Sequence, residues 1–208
     1  MKDAQGNLVQ GRTRWRRFAA VMAPAAVAAG AIVFGMANGA IAASFAVSGT
    51  SFKVSAAELD GTGFVQYGGL AHANVKDANG MQDHPVAVAG IPSATITNLC
   101  QSVVVPGTTI SMVLTAGDKG TPATATNLMF DLTSLQADAV FTNITIGQDA
   151  STLTAGPDGA VGQVGGFGQQ ASHINLKNVK QVAWSASAGT FNLNGLSLHV
   201  SLSKEECF

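Results

Sequence analysis

The residues after position 44 repeat a two-residue alternation of apolar and polar side chains, and this pattern limits the fold to one class. In SFAVSGTSFKVSA, residues 44–56, Phe45 and Val47 fall on one side of an extended chain. The same period recurs in TISMVLTAG, residues 109–117, and in FNLNGLSLHVSL, residues 191–202. A period of two is that of a β-strand, and no comparably long stretch after residue 44 has a helical period. The sequence therefore predicts an all-β domain, either a single antiparallel β-sandwich or a curved β-sheet or β-roll.

Glycine and asparagine separate these strands. Asn79-Gly80 is a strong turn signal, and TAGPDGAVGQVGGFGQQ, residues 154–170, predicts an exposed loop that buries little. The glycines of this loop lack the Lys-Ser/Thr pair of a phosphate-binding loop.

Three segments resemble one another in a weak internal repeat. Their cores are Ile96-Thr97-Asn98-Leu99, Phe130-Asp131-Leu132 and Ile174-Asn175-Leu176. The recurrence is typical of stacked β-rungs, and it is equally typical of any strand-rich sequence. Both interpretations stay open.

The N-terminal residues 1–43 have the composition of an export leader. Basic residues are concentrated in residues 1–17, and residues 18–43 contain no charge. About 20 apolar residues suffice to span a membrane, but Pro24, several glycines and the absence of leucine weaken an anchor. Ala40-Ile41-Ala42 is a small-x-small cleavage signal, so we expect a signal peptide cut between Ala42 and Ala43, with an uncleaved N-terminal apolar helix as the alternative. In both cases residues 44–208 form an exported β domain, extracellular or attached to the cell envelope, and an uncleaved N-terminus stays cytoplasmic.

The exported part is acidic and lacks arginine. From Ser44 onward it has six lysines and eleven acidic residues, a net charge of −5. Arginine is the side chain that phosphate and base-edge recognition favour. We therefore expect no binding to nucleic acid.

The only two cysteines are Cys100 and Cys207. Export to an oxidising compartment favours a disulfide between them, which would hold the C-terminal tail against a strand end. A pair of free thiols in a redox or metal site is the alternative, although no C-x-x-C spacing is present.

No residue pattern indicates catalysis. The histidines His72, His84, His173 and His199 lack metal-ligand spacing, and Ser197 lies in GLSLH, which is a strand rather than a G-x-S-x-G turn. The acidic residues lie in turns or at outward strand positions. We expect no enzyme activity, no metal and no cofactor.

Large rings among small neighbours mark a candidate apolar pocket. GTGFVQYGG and QVAWSASAGTF surround their aromatic residues with small ones. Such rings pack in a core or leave space for a guest such as an acyl chain. The candidate pocket residues are Phe64, Tyr67, Trp184 and Phe191.

Taken together, FGQQASHINLKNVKQVAWSASAGTFNLNGLSLHV, ITNLCQSVVVP, GTGFVQYGG and the terminal KEECF resemble a family of exported streptomycete and related actinobacterial proteins. This family is built on a domain of unknown function, and automated labels often describe its members as "cholesterol esterase". The resemblance implies a cell-envelope location and a small multi-helix membrane protein as a partner. The esterase label has no support in the sequence, because no serine has a nucleophile-elbow context.

The sequence leaves three functions to compare. The leading hypothesis is a non-enzymatic envelope domain that binds a lipid or a membrane-protein partner. The second is a structural protein that self-associates into homo-oligomers or a surface layer through exposed strand edges. The third is a lipid-ester hydrolase.

The leader hypothesis predicts the N-terminus of the natural protein. Because Ala42 completes the cleavage signal, sequencing of the exported protein should find Ala43 first. A protein that still begins at Met1 and stays with the membrane fraction would show that the leader is retained as an anchor.

Overall fold

The computed structural model describes residues 49–73, 76, 79–118 and 120–208. The chain divides into two units, residues 1–43 and 44–208, and the described residues all belong to the second. The predicted leader, its cleavage site and the N-terminal helix therefore lie outside the described residues. No helix in the described ranges is long and apolar enough to cross a membrane.

The described residues form nine strands and one 3-10 turn, with no α-helix among them, so the predicted all-β class is confirmed. The strands are β1 (Phe52–His72), β2 (Asp83–Thr97), β3 (Leu99–Val104), β4 (Ser111–Ala116), β5 (Ala123–Thr142), β6 (Thr145–Asp149), β7 (Phe167–Ser187), β8 (Thr190–Asn192) and β9 (Ser197–Ser201). All pairings are antiparallel and join the strands into one sheet. The single antiparallel sheet agrees with the curved-sheet form of the prediction.

Four long strands of this sheet form a closed ring of pairings. β1 pairs with β2, β2 with β5, β5 with β7, and β7 returns to β1. The inward side chains of these strands form the main core, in which Leu59, Ile91, Phe130 and Ile174 are buried. Full burial of a side chain of this size contributes about 1.5–3 kcal/mol.

The interior of this ring is narrow, because the diameter of a closed sheet grows with its number of strands. Small residues accordingly fill many inward positions, including Ala94, Ala125 and Ala183. At Gly61 an added Cβ would lie only 2.7 Å from Ile91 Cγ2. The alanine and glycine content of the strands is thus a requirement of the closed ring.

Left-handed asparagines let the long strands keep one side toward the core. In β5 the buried side chains are at odd-numbered positions up to Ala125 and at even-numbered positions from Leu128 to Leu132. Asn127, which lies where this alternation changes, has φ +49°. Asparagine tolerates this region better than other side chains with a Cβ. Asn178 has φ +54° in β7, where the register with β5 also shifts. Asn98 and Asn143 have positive φ at the ends of β2 and β5.

Part of the glycine-rich loop, together with Leu153 just before it, packs on the sheet. Leu153 and Ala160 pack on Val65 at the outside of the ring, and this cluster is separate from the main core. Gly156 allows the contact, since an added Cβ would lie 2.4 Å from Val65 Cγ2. Gly159 and Gly165 have nothing within 4 Å of an added Cβ, and most of residues 154–166 is exposed, so the loop buries only Pro157 and Ala160.

The left-handed asparagine in β7 predicts an order of variant stabilities. Asn178→Val should lower the free energy of unfolding by roughly 1–3 kcal/mol, because a β-branched residue at positive φ is strained. Asn178→Gly should stay close to the unsubstituted protein, because glycine adopts this φ freely. Urea unfolding followed by circular dichroism measures both.

Gln136→Val, at an exposed position of β5 without positive φ, is the matched control and should change stability little. Equal destabilisation by valine at both positions would contradict the role given to Asn178.

Candidate functional site

Strands β3, β4 and β9 extend beyond the ring as a three-stranded sheet with two unlike faces. Opposite residues share a face, and the register places Ser102 beside Val113 and His199, and Val103 beside Met112 and Val200. One face, which we call the serine face, contains Cys100, Ser102, Val104, Ser111, Val113, Thr115, Ser197, His199 and Ser201. The other, the aliphatic face, contains Val103, Met112, Leu114, Leu198 and Val200, with Gln101 at its inner end.

The C-terminal tail, residues 203–208, crosses the serine face. The Ser111 hydroxyl donates to the Ser203 carbonyl and accepts from the Glu205 backbone N–H at 3.0 Å. The Cys207 backbone N–H donates to the Ser102 hydroxyl at 3.0 Å. Ser102 and Ser111 are buried beneath the tail and their hydroxyls are paired, whereas Thr115, Ser197 and His199 at the outer part of the serine face remain exposed.

The tail is also held at its end. The Sγ atoms of Cys100 and Cys207 are 2.05 Å apart, so the structure places the two cysteines at disulfide distance. Lys53 Nζ lies 3.1 Å from a Glu206 carboxylate oxygen and donates to the Phe208 carbonyl at 2.9 Å. The hydrogen bond from Lys53 and its charge hold the pKa of Glu206 below its ordinary value.

The aliphatic face has no such cover among the described residues. The side chains of β9 and its flanks on this face, Leu196, Leu198, Val200 and Leu202, are 52%, 54%, 62% and 79% exposed. Met112 on the neighbouring strand is 40% exposed. None of these positions has a charge, so the three strands present a continuous uncharged apolar surface.

An apolar cleft opens at the inner end of the aliphatic face. Gln101 pairs in register with Val54, which joins this face to the inward side of β1. The cleft is lined mostly by aliphatic side chains and by the ring of Phe191, and its polar side chains are Gln101 and Gln181. Its enclosed space of about 20 Å³ holds about one water molecule, and it widens to about 410 Å³ when the space open to solvent is counted.

The four predicted pocket residues lie in four different places. Phe191 lines the cleft described above. Phe64 is buried in the main core, where its ring centroid is 5.4 Å from that of Phe141. Tyr67 is half-buried beside the glycine-rich loop, and this burial raises the pKa of its hydroxyl. Trp184 lines a separate open cavity, so the structure does not gather the four rings around one guest.

Trp184 stacks on a buried histidine. The ring centroids of His84 and Trp184 are 3.6 Å apart and their planes differ by 12°. His84 Nε2 has no hydrogen-bond partner in the part of the chain that the structure describes. Trp184 also lines the open cavity that Lys204 and Glu206 border.

The acidic residues at the centre of the β1–β7 pairing are tied to neighbouring side chains. Asn175 Nδ2 donates to Asp60 at 2.9 Å and to Glu58 at 2.8 Å, and His173 Nε2 lies 3.1 Å from the Asp60 carboxylate. The hydrogen bond from Asn175 and the contact with His173 lower the pKa of Asp60. A general acid needs a raised pKa, so Asp60 is held in the wrong state for that role.

Ser197 and His199 do not form a nucleophile–base pair. His199 Nε2 lies 3.2 Å from a Glu205 carboxylate oxygen, and Ser197 is on the same face. No hydrogen bond joins the Ser197 hydroxyl to His199 in the described structure. No group of three or more potential metal ligands occurs in the residues that the structure describes.

These features define a class of protein, a single-sheet all-β domain with one covered and one open face at the end of its sheet. The chain belongs to a family of unknown function, DUF6230, whose model matches residues 48–208. Neither curated proteins nor solved structures provide a match.

The cysteine pair predicts a large effect of releasing the tail. Cys207→Ser should lower the free energy of unfolding by about 2–4 kcal/mol, because a link across 107 residues constrains the unfolded chain. Urea unfolding with and without reductant measures this, and reductant should weaken the natural protein but not the variant.

Thiol titration of the denatured, unreduced protein provides the control. It should find no free thiol in the natural protein and one in Cys207→Ser. Two free thiols per natural chain would show that the cysteines are not linked.

Proposed function

We propose that this protein is an exported, non-catalytic domain of the cell envelope that binds lipid hydrocarbon on its aliphatic face. The proposal rests on the observation that the C-terminal tail lies on the serine face and not on the aliphatic face. The tail occupies the serine face, whose hydroxyls water would solvate well, and leaves Met112, Leu198 and Val200 exposed. Uncovered apolar surface of this kind is typical of an interaction site.

The chemistry of the surface favours hydrocarbon over a charged ligand. Binding of anionic headgroups needs lysine or arginine, and neither occurs at the strand positions of the aliphatic face. Removing apolar surface from water contributes about 25 cal/mol per Å². An acyl chain lying along β4 and β9 would gain this energy without desolvating a charge.

The cleft at the inner end of the face supports the same proposal. Its lining is apolar except for Gln101 and Gln181, which matches ligand pockets that use few polar groups. The enclosed space is too small for a chain end, so binding requires the Phe191 side chain to turn outward. Phe191 is on the three-residue strand β8 and is 37% exposed, which leaves its ring room to move.

Export is supported by the cysteine pair and by the leader. A cysteine pair at disulfide distance is compatible with an oxidising compartment, where such links persist. The uncharged stretch of residues 18–43 after a basic segment has the composition of an export signal.

The proposal predicts a bound lipid and a substitution that removes it. Native mass spectrometry and solvent extraction of the protein from its natural host should find about one lipid or more per chain. Met112→Lys should lower the bound lipid about tenfold or more, because it places an ammonium group against hydrocarbon.

Val164→Lys is the matched control, because Val164 is 86% exposed in the glycine-rich loop, away from the aliphatic face. It should leave the bound lipid unchanged. Lipid-free protein that co-purifies with a membrane protein would overturn the lipid proposal in favour of a protein partner. Hydrolysis of short-chain esters that Ser197→Ala abolishes would overturn the non-catalytic part.

A further inference from the structure

Strand β9 ends the sheet with an open edge. The strand order runs from β6 to β9, and β9 pairs with β4 on one side alone among the described residues. Edge strands usually have lysine, proline or a bulge that prevents pairing with another chain. Residues 197–201, SLHVS, contain none of these, and the register with β4 is regular.

The opposite edge is protected. β6 has a register shift between Ile146 and Gln148, and Gly147 within it has φ +86°. A bulge of this kind bends the strand and interrupts its row of hydrogen-bonding groups. Of the two strands that end the strand order, β9 is therefore the one that is fit for pairing.

The tail leaves this open edge free. After β9 the chain turns inward, where Thr109 Oγ1 donates to the Leu202 carbonyl at 2.9 Å. It then passes over Ser111 and Ser102, on β4 and β3. Glu205 contacts the His199 side chain, but no hydrogen bond in the described structure joins this segment to the backbone of β9.

The sequence around β9 is symmetric about its centre. Residues 196–202 read Leu-Ser-Leu-His-Val-Ser-Leu, so each position matches its mirror position about His199 in polarity. A two-fold interface brings the same surface of each copy together and needs this self-complementarity. Any alternating strand has this symmetry, but β9 combines it with an edge that has no lysine, proline or bulge, so a second copy of this chain fits the edge.

We propose that β9 pairs antiparallel with β9 of a second copy, about a two-fold axis at His199. Leu198 of each copy then lies opposite Val200 of the other, and Leu196 opposite Leu202. A shift by one residue would place leucine opposite serine on the same face, and pairing forbids it. After residue 202 the chain leaves the direction of β9, and Glu205 lies 3.2 Å from His199, so each copy brings one His199–Glu205 contact to the axis.

The pairing goes beyond lipid binding and does not depend on it. It joins two three-stranded extensions into one six-stranded sheet, with both aliphatic faces on the same side. Because the β6 edge is bulged, the assembly closes at two copies instead of growing into a layer. The two copies double the apolar surface without covering it.

The register can be tested with single cysteines on the serine face. In the exported protein, His199→Cys should form a cross-linked dimer on mild oxidation, because position 199 faces itself across the axis. Ser197→Cys alone should not, since position 197 faces position 201, but it should cross-link when mixed with Ser201→Cys. Peptide mapping should show that Cys100 remains linked to Cys207 in each variant.

Sedimentation of the unsubstituted protein completes the test. A dimer that sediments as two copies, together with this cross-linking pattern, supports the proposal. A monomer at micromolar concentration would overturn it, as would equal cross-linking of Ser197→Cys and His199→Cys by themselves. Neither result would affect the lipid measurement, which uses a substitution on β4.

Discussion

The closed ring of four long strands is the constraint on which the rest of the structure depends. Strands of 15 to 21 residues can return to their starting partner only if they bend and keep one side inward. Left-handed Asn127 and Asn178 allow this, because each changes which residues of its strand face the core. The narrow interior then requires alanine and glycine at many inward positions.

The C-terminal tail determines which surface the extension presents. Its hydrogen bonds to Ser102 and Ser111 and its contact with Lys53 need the polar side of the sheet. Stability alone would favour the opposite arrangement, because covering aliphatic side chains contributes more than covering hydroxyls that water already solvates. A chain that covers its serines and exposes its leucines has given up folding energy at this place. Such a departure from the stability optimum is expected at a functional surface.

The sequence predicted those features that depend on local periodicity. Alternation predicted the strands, and the expectation of an oxidising compartment predicted the pairing of Cys100 with Cys207. The four predicted pocket rings dispersed because alternation shows that Phe64 or Phe191 lies on a strand but not which strand lies beside it. A local signal for the bends was present in Thr-Asn-Leu/Ile at residues 97–99, 126–128 and 142–144, each with a left-handed asparagine. Two of the three cores of the weak repeat lie at or near this motif and the third, residues 174–176, does not, so both interpretations of the repeat stay open.

The open face and the open edge are both consequences of one short segment, residues 196–202. Any strictly alternating strand is symmetric about its middle residue, so symmetry alone does not make β9 an interface. The lack of charge on both sides is what distinguishes it, because one lysine on either face would have protected the edge and interrupted the aliphatic row. A segment free of charge, as the proposed lipid contact requires, is also free to pair with its copy. The proposed lipid binding and strand pairing therefore require the same feature of the sequence. The lipid would contact the aliphatic face of β9, whereas the second copy would pair with the edge of the same strand.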